Sequence, residues 1–127
     1  MSIYNRLVIQ FQPSLNTYLQ LTNILGVTPT DEAELPDEDL PSSWTYEISN
    51  NDTDSYFDFI SQFLDLLEPK LPALEALEIK RSDISVWMLY AYDQQCNIEF
   101  DPGQMKRLVE QGITLCISCW QNDTTSR

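Results

Sequence analysis

Cys116 and Cys119, spaced Cys-x-x-Cys, are the residues with the most obvious capacity for chemistry. That spacing serves disulfide exchange when it opens a helix, where the helix end stabilises a thiolate. Here it falls inside Ile113 to Trp120, whose alternating apolar residues read as a strand. Residues three apart in a strand point to opposite faces, so the two sulfurs cannot chelate together. A zinc site would need further ligands from Cys96 and carboxylates, because the chain has no histidine. We read the cysteines as structural thiols and expect no metal and no cofactor. An odd number of them fits reduced thiols in the cytoplasm better than a disulfide framework.

The lack of histidine also removes the usual triads and the commonest general base near neutral pH. Asp93, Glu99 and Asp101 cluster around one turn, the arrangement that paired-carboxylate catalysis would require, yet a loop of this size reads more simply as solvated charge and a helix cap. None of the three glycines lies in a glycine-rich loop, so there is no phosphate cradle. No catalytic residue emerges, and the expectation is a protein that is not an enzyme.

Charge is the stronger signal. Twenty carboxylates against seven cations give a net charge of -13. Between Arg6 and Lys70 there is no Lys or Arg, while twelve acids fall in that interval. Asp31, Glu32, Glu34, Asp37, Glu38 and Asp39 crowd one proline-containing stretch, and Glu47, Asp54 and Asp58 follow. Such a surface repels nucleic acid and anionic membranes and attracts basic proteins. The plain alternative is a solvated linker whose charge keeps the protein soluble. A calcium loop of the EF-hand kind would need a glycine and a terminal glutamate that this stretch lacks.

These residues need a frame, and Ile84 to Tyr92 supplies it. Apolar residues occupy both of its parities, so it reads as a central strand with neighbours on either side. Arg6 to Phe11 and Trp44 to Ser49 alternate more simply and read as further strands. Ser14 caps a helix with an apolar stripe of Leu15, Tyr18, Leu19, Thr22 and Leu25, stopped by Gly26. Tyr56 to Leu67 reads as the clearest helix, capped by Asp52, Thr53 or Asp54, and Pro72 to Glu78 as a short one. Ile98 to Phe100 can extend the sheet. Asp101-Pro102 then opens a helix that buries Met105, Leu108 and Val109 and ends at Gly112. Residues 121–127 form a polar tail to a single domain spanning 1–120. No apolar run is long enough to span a membrane or serve as a secretion signal, which agrees with a cytoplasmic location.

Phe11-Gln-Pro, a helix and Gly26 are echoed by Phe100-Asp-Pro, a helix and Gly112. The echo suggests a duplicated split βαβ: an α+β, ferredoxin-like two-layer sandwich with a mostly antiparallel sheet of four or five strands and helices on one face. The other face would then be bare and would present Val8, Gln10, Glu47, Trp87, Leu89, Cys116 and Trp120 by parity. Two tryptophans on an uncovered face suggest a partner site, unless a terminus or a second copy in a homodimer covers them.

Leu25-Gly-Val-Thr-Pro-Thr after the first helix, Ser43-Trp44 opening a strand, Leu66-Leu-Glu-Pro closing the middle helix and the final helix-Gly-Ile strand resemble a family of small bacterial proteins, domain of unknown function 4279. The likeness spans roughly residues 5 to 120. Family members usually carry basic residues after the Pro-Thr, where this chain has Asp31-Glu32-Ala33-Glu34. The resemblance implies a small cytosolic protein, with some members acting as immunity proteins for secreted toxins. Joined to the charge, it gives an expected function: an inhibitor that covers the basic, nuclease-like cleft of a cognate toxin with Asp31 to Asp39, Glu47, Asp54 and Asp58. The alternative is a peptide or small-ligand binding module that uses Trp87 and Trp120.

Overall fold

The computed structural model describes residues 2–31, 40–50, 58–93 and 98–121. Its elements in chain order are β1 (Ser2–Gln10), α1 (Leu15–Leu25), β2 (Ser43–Asn50), α2 (Phe59–Leu67), α3 (Leu71–Ala76), β3 (Ile84–Tyr92), α4 (Pro102–Gln111) and β4 (Thr114–Gln121). The strands form one sheet in the order β2-β1-β3-β4. β1 is antiparallel to both of its neighbours, and β3 runs parallel to β4. The chain is thus α+β with a mixed four-stranded sheet, and Ile84–Tyr92 is an interior strand as its double-sided apolarity requires.

The order and directions depart from a duplicated split βαβ. A split unit separates two parallel strands by a third, whereas β1 and β2 are adjacent and antiparallel, and β3 and β4 are adjacent and parallel. The shared proline, cap and glycine signals set where a helix starts and stops, not which way the next strand runs. After Gly112 the chain passes at once into β4, which forces a crossover to a parallel strand. After Gly26 a long connection precedes Ser43, with enough reach to return antiparallel beside β1.

One face of the sheet supplies the core. Leu7 and Ile9 of β1, Trp44 of β2 and Ile84, Val86 and Met88 of β3 join Tyr18, Leu21, Phe59, Ile60, Phe63, Leu64, Leu67, Leu74 and Leu108 from the helices in a single buried cluster. Each fully buried large side chain contributes on the order of 1.5–3 kcal/mol, so this one-sided layer carries the hydrophobic stability. Trp44 is fully enclosed, and its indole N–H donates to Thr22 Oγ1 at 3.1 Å. β1 begins earlier than the alternation suggests because Asn5, a polar residue, holds an inward position: it is buried, and its Nδ2 lies 3.4 Å from the Ile48 carbonyl.

Helix orientation differs from the apolar spacing in three places. α1 buries Tyr18, Leu21 and Leu25 and leaves Leu15 and Leu19 exposed. α2 starts at Phe59, with Asp58 as its N-cap rather than a residue of its polar face. In α4, Met105 and Val109 are 52% and 79% exposed, against the expectation that they face inward. Arg107 Nη2 reaches Glu68 Oε1 at 2.6 Å and Asp65 Oδ1 at 3.0 Å, and Gln111 Nε2 donates to Glu68 Oε2 at 2.8 Å. These polar contacts roll α4 so that Gln104 and Leu108 face the core. Residues 98–100 are irregular rather than a strand; the Phe100 ring meets Phe59 edge-on at 6.2 Å.

Candidate functional site

Strand register defines the face that the helices leave uncovered. Reading from β2 to β4, one row is Thr45, Val8, Ser85 and Thr114; the next is Glu47, Arg6, Trp87 and Cys116; the next is Ser49, Tyr4, Leu89 and Ser118. Ala91 and Trp120 pair in the row beyond. Every residue assigned to the bare face by parity lies on it. Thr45, Glu47 and Ser49 make β2 polar, Arg6, Ser85, Thr114 and Ser118 add polar groups on the other strands, and Tyr4, Trp87, Leu89 and Trp120 form an apolar patch over β1, β3 and β4 beside the buried Ala91. Trp87 and Trp120 stand on either side of Leu89, separated along the sheet by roughly 13 Å at the usual strand rise.

The patch is anchored and accessible. Trp120 is 44% exposed and Tyr4 37%. Trp87 is half-buried, and its Nε1–H donates to Ser85 Oγ at 2.8 Å, which fixes the indole over β3. Beside it, Arg6 Nε pairs with Glu47 Oε1 at 2.6 Å. The face therefore carries rigid aromatic surface next to one compensated charge pair, an arrangement suited to non-covalent recognition.

Of the acidic residues, the described ones, Asp31, Glu47 and Asp58, lie apart from one another. Glu32, Glu34, Asp37, Glu38, Asp39 and Asp54 lie outside the described residues, as does Cys96. The remaining three have separate intramolecular roles. Asp31 accepts the Tyr18 hydroxyl at 2.8 Å on the core side of the sheet. Glu47 holds Arg6 on the open face. Asp58 caps α2 by accepting the Ser61 N–H at 2.9 Å. Its carboxyl is held below its ordinary range: partial burial works against the charge, but hydrogen bonds from the Ser61 side chain and backbone and from Gln104, with the positive charge of Arg107, outweigh it.

The strand geometry separates the cysteines. Cys116 pairs with Trp87 on the open face and Cys119 with Tyr90 on the other, and both are free thiols. Among the described residues no group of three or more His, Cys, Asp or Glu could hold a metal ion. Asp101 is the N-cap of α4, accepting the Gln104 N–H at 2.9 Å while Gln104 Oε1 accepts the Asp101 N–H at 3.2 Å. An open groove lies away from the aromatic patch, between the β1–α1 turn (Gln10, Phe11, Ser14) and the α3–β3 connection (Glu78, Lys80, Asp83). Its charges are of both signs and converge on no reacting position.

No family model, curated protein or solved structure matches this chain. The resemblance read from its turn residues gains no support from those comparisons. Among the described residues no helix is long and apolar enough to cross a membrane.

What sequence reasoning missed is the difference between the two edges of the sheet. At β2, the Thr30 N–H donates to the Thr45 carbonyl at 2.8 Å, and Thr30 Oγ1 accepts the Glu47 N–H at 2.8 Å. The chain's own segment thus occupies that edge. Only the proline and threonines of Thr28-Pro29-Thr30 hint at an extended stretch there. At β4, nothing among the described residues is hydrogen-bonded to the outer side.

Proposed function

We propose that this chain is a non-catalytic binding protein that receives a basic protein partner on its open sheet face. The observation that carries the reading is the shared placement of Trp87, Trp120, Tyr4 and Leu89 on the one sheet face that no described helix covers. Tryptophan and tyrosine on a rigid strand surface lose little conformational freedom on binding and bury large areas, so they are natural anchors for a partner. The partner's sign follows from the net charge of -13, which accelerates encounter with a cation-rich surface and disfavours nucleic acid and anionic lipid. Neutralisation of a basic, nuclease-like toxin in the cytoplasm is one form of this reading. It draws on the same charge and on the family resemblance.

The test is a comparison of the wild type with a Trp87→Ala, Trp120→Ala double variant, both checked for fold by far-UV circular dichroism. A basic protein retained by the wild type and identified from the source lysate is purified and titrated against each at low and high salt. The reading expects at least roughly tenfold weaker binding by the double variant, and slower association at high salt for both. Equal affinities for the two would move the site away from the face.

A further inference from the structure

We infer that the outer edge of β4 is a docking edge, and that its occupant is an extended, lysine- or arginine-rich segment of the partner that adds to the sheet as a fifth strand. The inference rests on the proposed binding role and specifies how the partner would be held. Open edges are hazards that proteins usually blunt with charge, proline, a bulge or a covering segment. Among the described residues this fold does so at one edge, where Thr30 lies against β2.

Among the described residues β4 shows none of those devices. Thr114-Leu-Cys-Ile-Ser-Cys-Trp-Gln121 contains no charged residue, no proline and no glycine, in a chain whose net charge is -13. Its register with β3 is unbroken from Ser85 and Thr114 to Tyr92 and Gln121, so no bulge turns the edge away. Its second half also has side chains accessible on both faces: Ile117 is 51% exposed and Cys119 exposed on the helix side, and Trp120 is 44% exposed on the open side. An added strand would meet backbone groups along the edge and apolar side chains above and below it, the two components of recognition by strand addition.

Charge selects the occupant. Arg6, Arg81, Lys106 and Arg107 are each paired with a carboxylate, so the field beyond the surface is dominated by the unbalanced acids. That field attracts a cationic segment and repels a second copy carrying the same -13. An uncharged strand at the contact line permits close backbone approach without burying an unpaired carboxylate.

Amide exchange on the isotope-labelled full chain tests the inference. The probe is a capped octapeptide of alternating Lys and Val, compared with its Glu–Val counterpart and with a Lys–Val peptide carrying proline at its centre. The expected result is that Lys–Val peptide slows exchange at alternate β4 amides by roughly tenfold or more, less so at high salt, while the two control peptides do not. Cys119→Lys, an exposed change that leaves the core untouched, should weaken this protection, and its own spectrum reports whether it folds. Absence of protection at β4 overturns the inference. So does a free protein whose β4 amides become protected with rising concentration as its mass doubles, which would make a second copy the occupant. If the peptide shifts the Trp87 and Trp120 indole signals without protecting β4, the edge inference falls and the open-face reading stands.

Discussion

The Tyr18 hydroxyl donates to Asp31 Oδ1 at 2.8 Å, tying a buried residue of α1 to the first carboxylate of the acidic run. The entry to that run is fixed further by Thr30, which is bonded to Thr45 and Glu47 on β2. Asp31 therefore helps hold the fold. Hydrogen bonds to charged groups contribute about 1.5–3 kcal/mol and neutral ones about 1, so Tyr18→Phe should lower stability by roughly 1–2 kcal/mol in urea denaturation. Asp31→Asn keeps an acceptor and should cost less. Indistinguishable midpoints for Tyr18→Phe and wild type would show that the contact contributes nothing.

Asp58 should make stability depend on pH in a defined direction. A carboxylate held below its ordinary range stabilises the fold at pH values above its unfolded pKa, and that contribution disappears as pH falls through the folded one. Between about pH 5 and about pH 2, wild type should therefore lose more stability than Asp58→Asn, which can cap α2 but does not titrate. At neutral pH, Asp58→Ala should cost roughly 1 kcal/mol through the lost cap. Thermal melts of the three proteins across that range measure both effects; parallel curves for wild type and Asp58→Asn would contradict the first.

Features set by a residue's immediate neighbours were legible in the sequence. Ile84–Tyr92 declared itself by being apolar on both parities, and α4 by Asp101-Pro102 at its start and Gly112 at its end. The composition of the open face followed from strand parity alone. Features set by distant partners were not legible. Met105 and Val109 match a buried stripe with Leu108, but Arg107 and Gln111 find Glu68 on the far side of β3 in the chain, and of the three only Leu108 faces the core. Asp58 looked like the polar face of a longer helix because nothing local distinguishes a cap from a first-turn acid. Strand order escaped because capping signals carry no direction. Trp44 and Trp120 look alike as residues in alternating strands; one is enclosed by helices and the other is not.

Gly112 and Glu78 form a reciprocal pair. Both have left-handed backbone, with φ of 66° and 67°, and only one is glycine. A Cβ at Gly112 would meet Arg81 Cβ at 3.6 Å, ordinary contact, so the penalty for Gly112→Ala is conformational rather than steric. It should be roughly 1–2 kcal/mol. Glu78→Gly relieves the same strain and gives back part of it to the flexibility of the unfolded chain, leaving a gain of about 0.5–1 kcal/mol. Denaturant midpoints should move in opposite directions for the two variants, and a shift in the same direction would refute the pairing.

The tryptophans offer the sharpest separation of core from surface. Trp44 is fully buried and hydrogen-bonded to Thr22, so Trp44→Ala removes a large enclosed ring and should cost about 3–5 kcal/mol, enough to unfold a marginal domain. Trp44→Phe should be milder and still leave Thr22 Oγ1 without its indole donor. Trp120→Ala trims a side chain that is 44% exposed and should change stability by only about 0.5 kcal/mol. Fluorescence gives an independent reading: acrylamide should quench the Trp120 contribution readily and that of Trp44 weakly, with Trp87 between them. If Trp120→Ala instead destabilised the protein as much as Trp44→Ala, the open face would be covered in solution and unable to receive a partner.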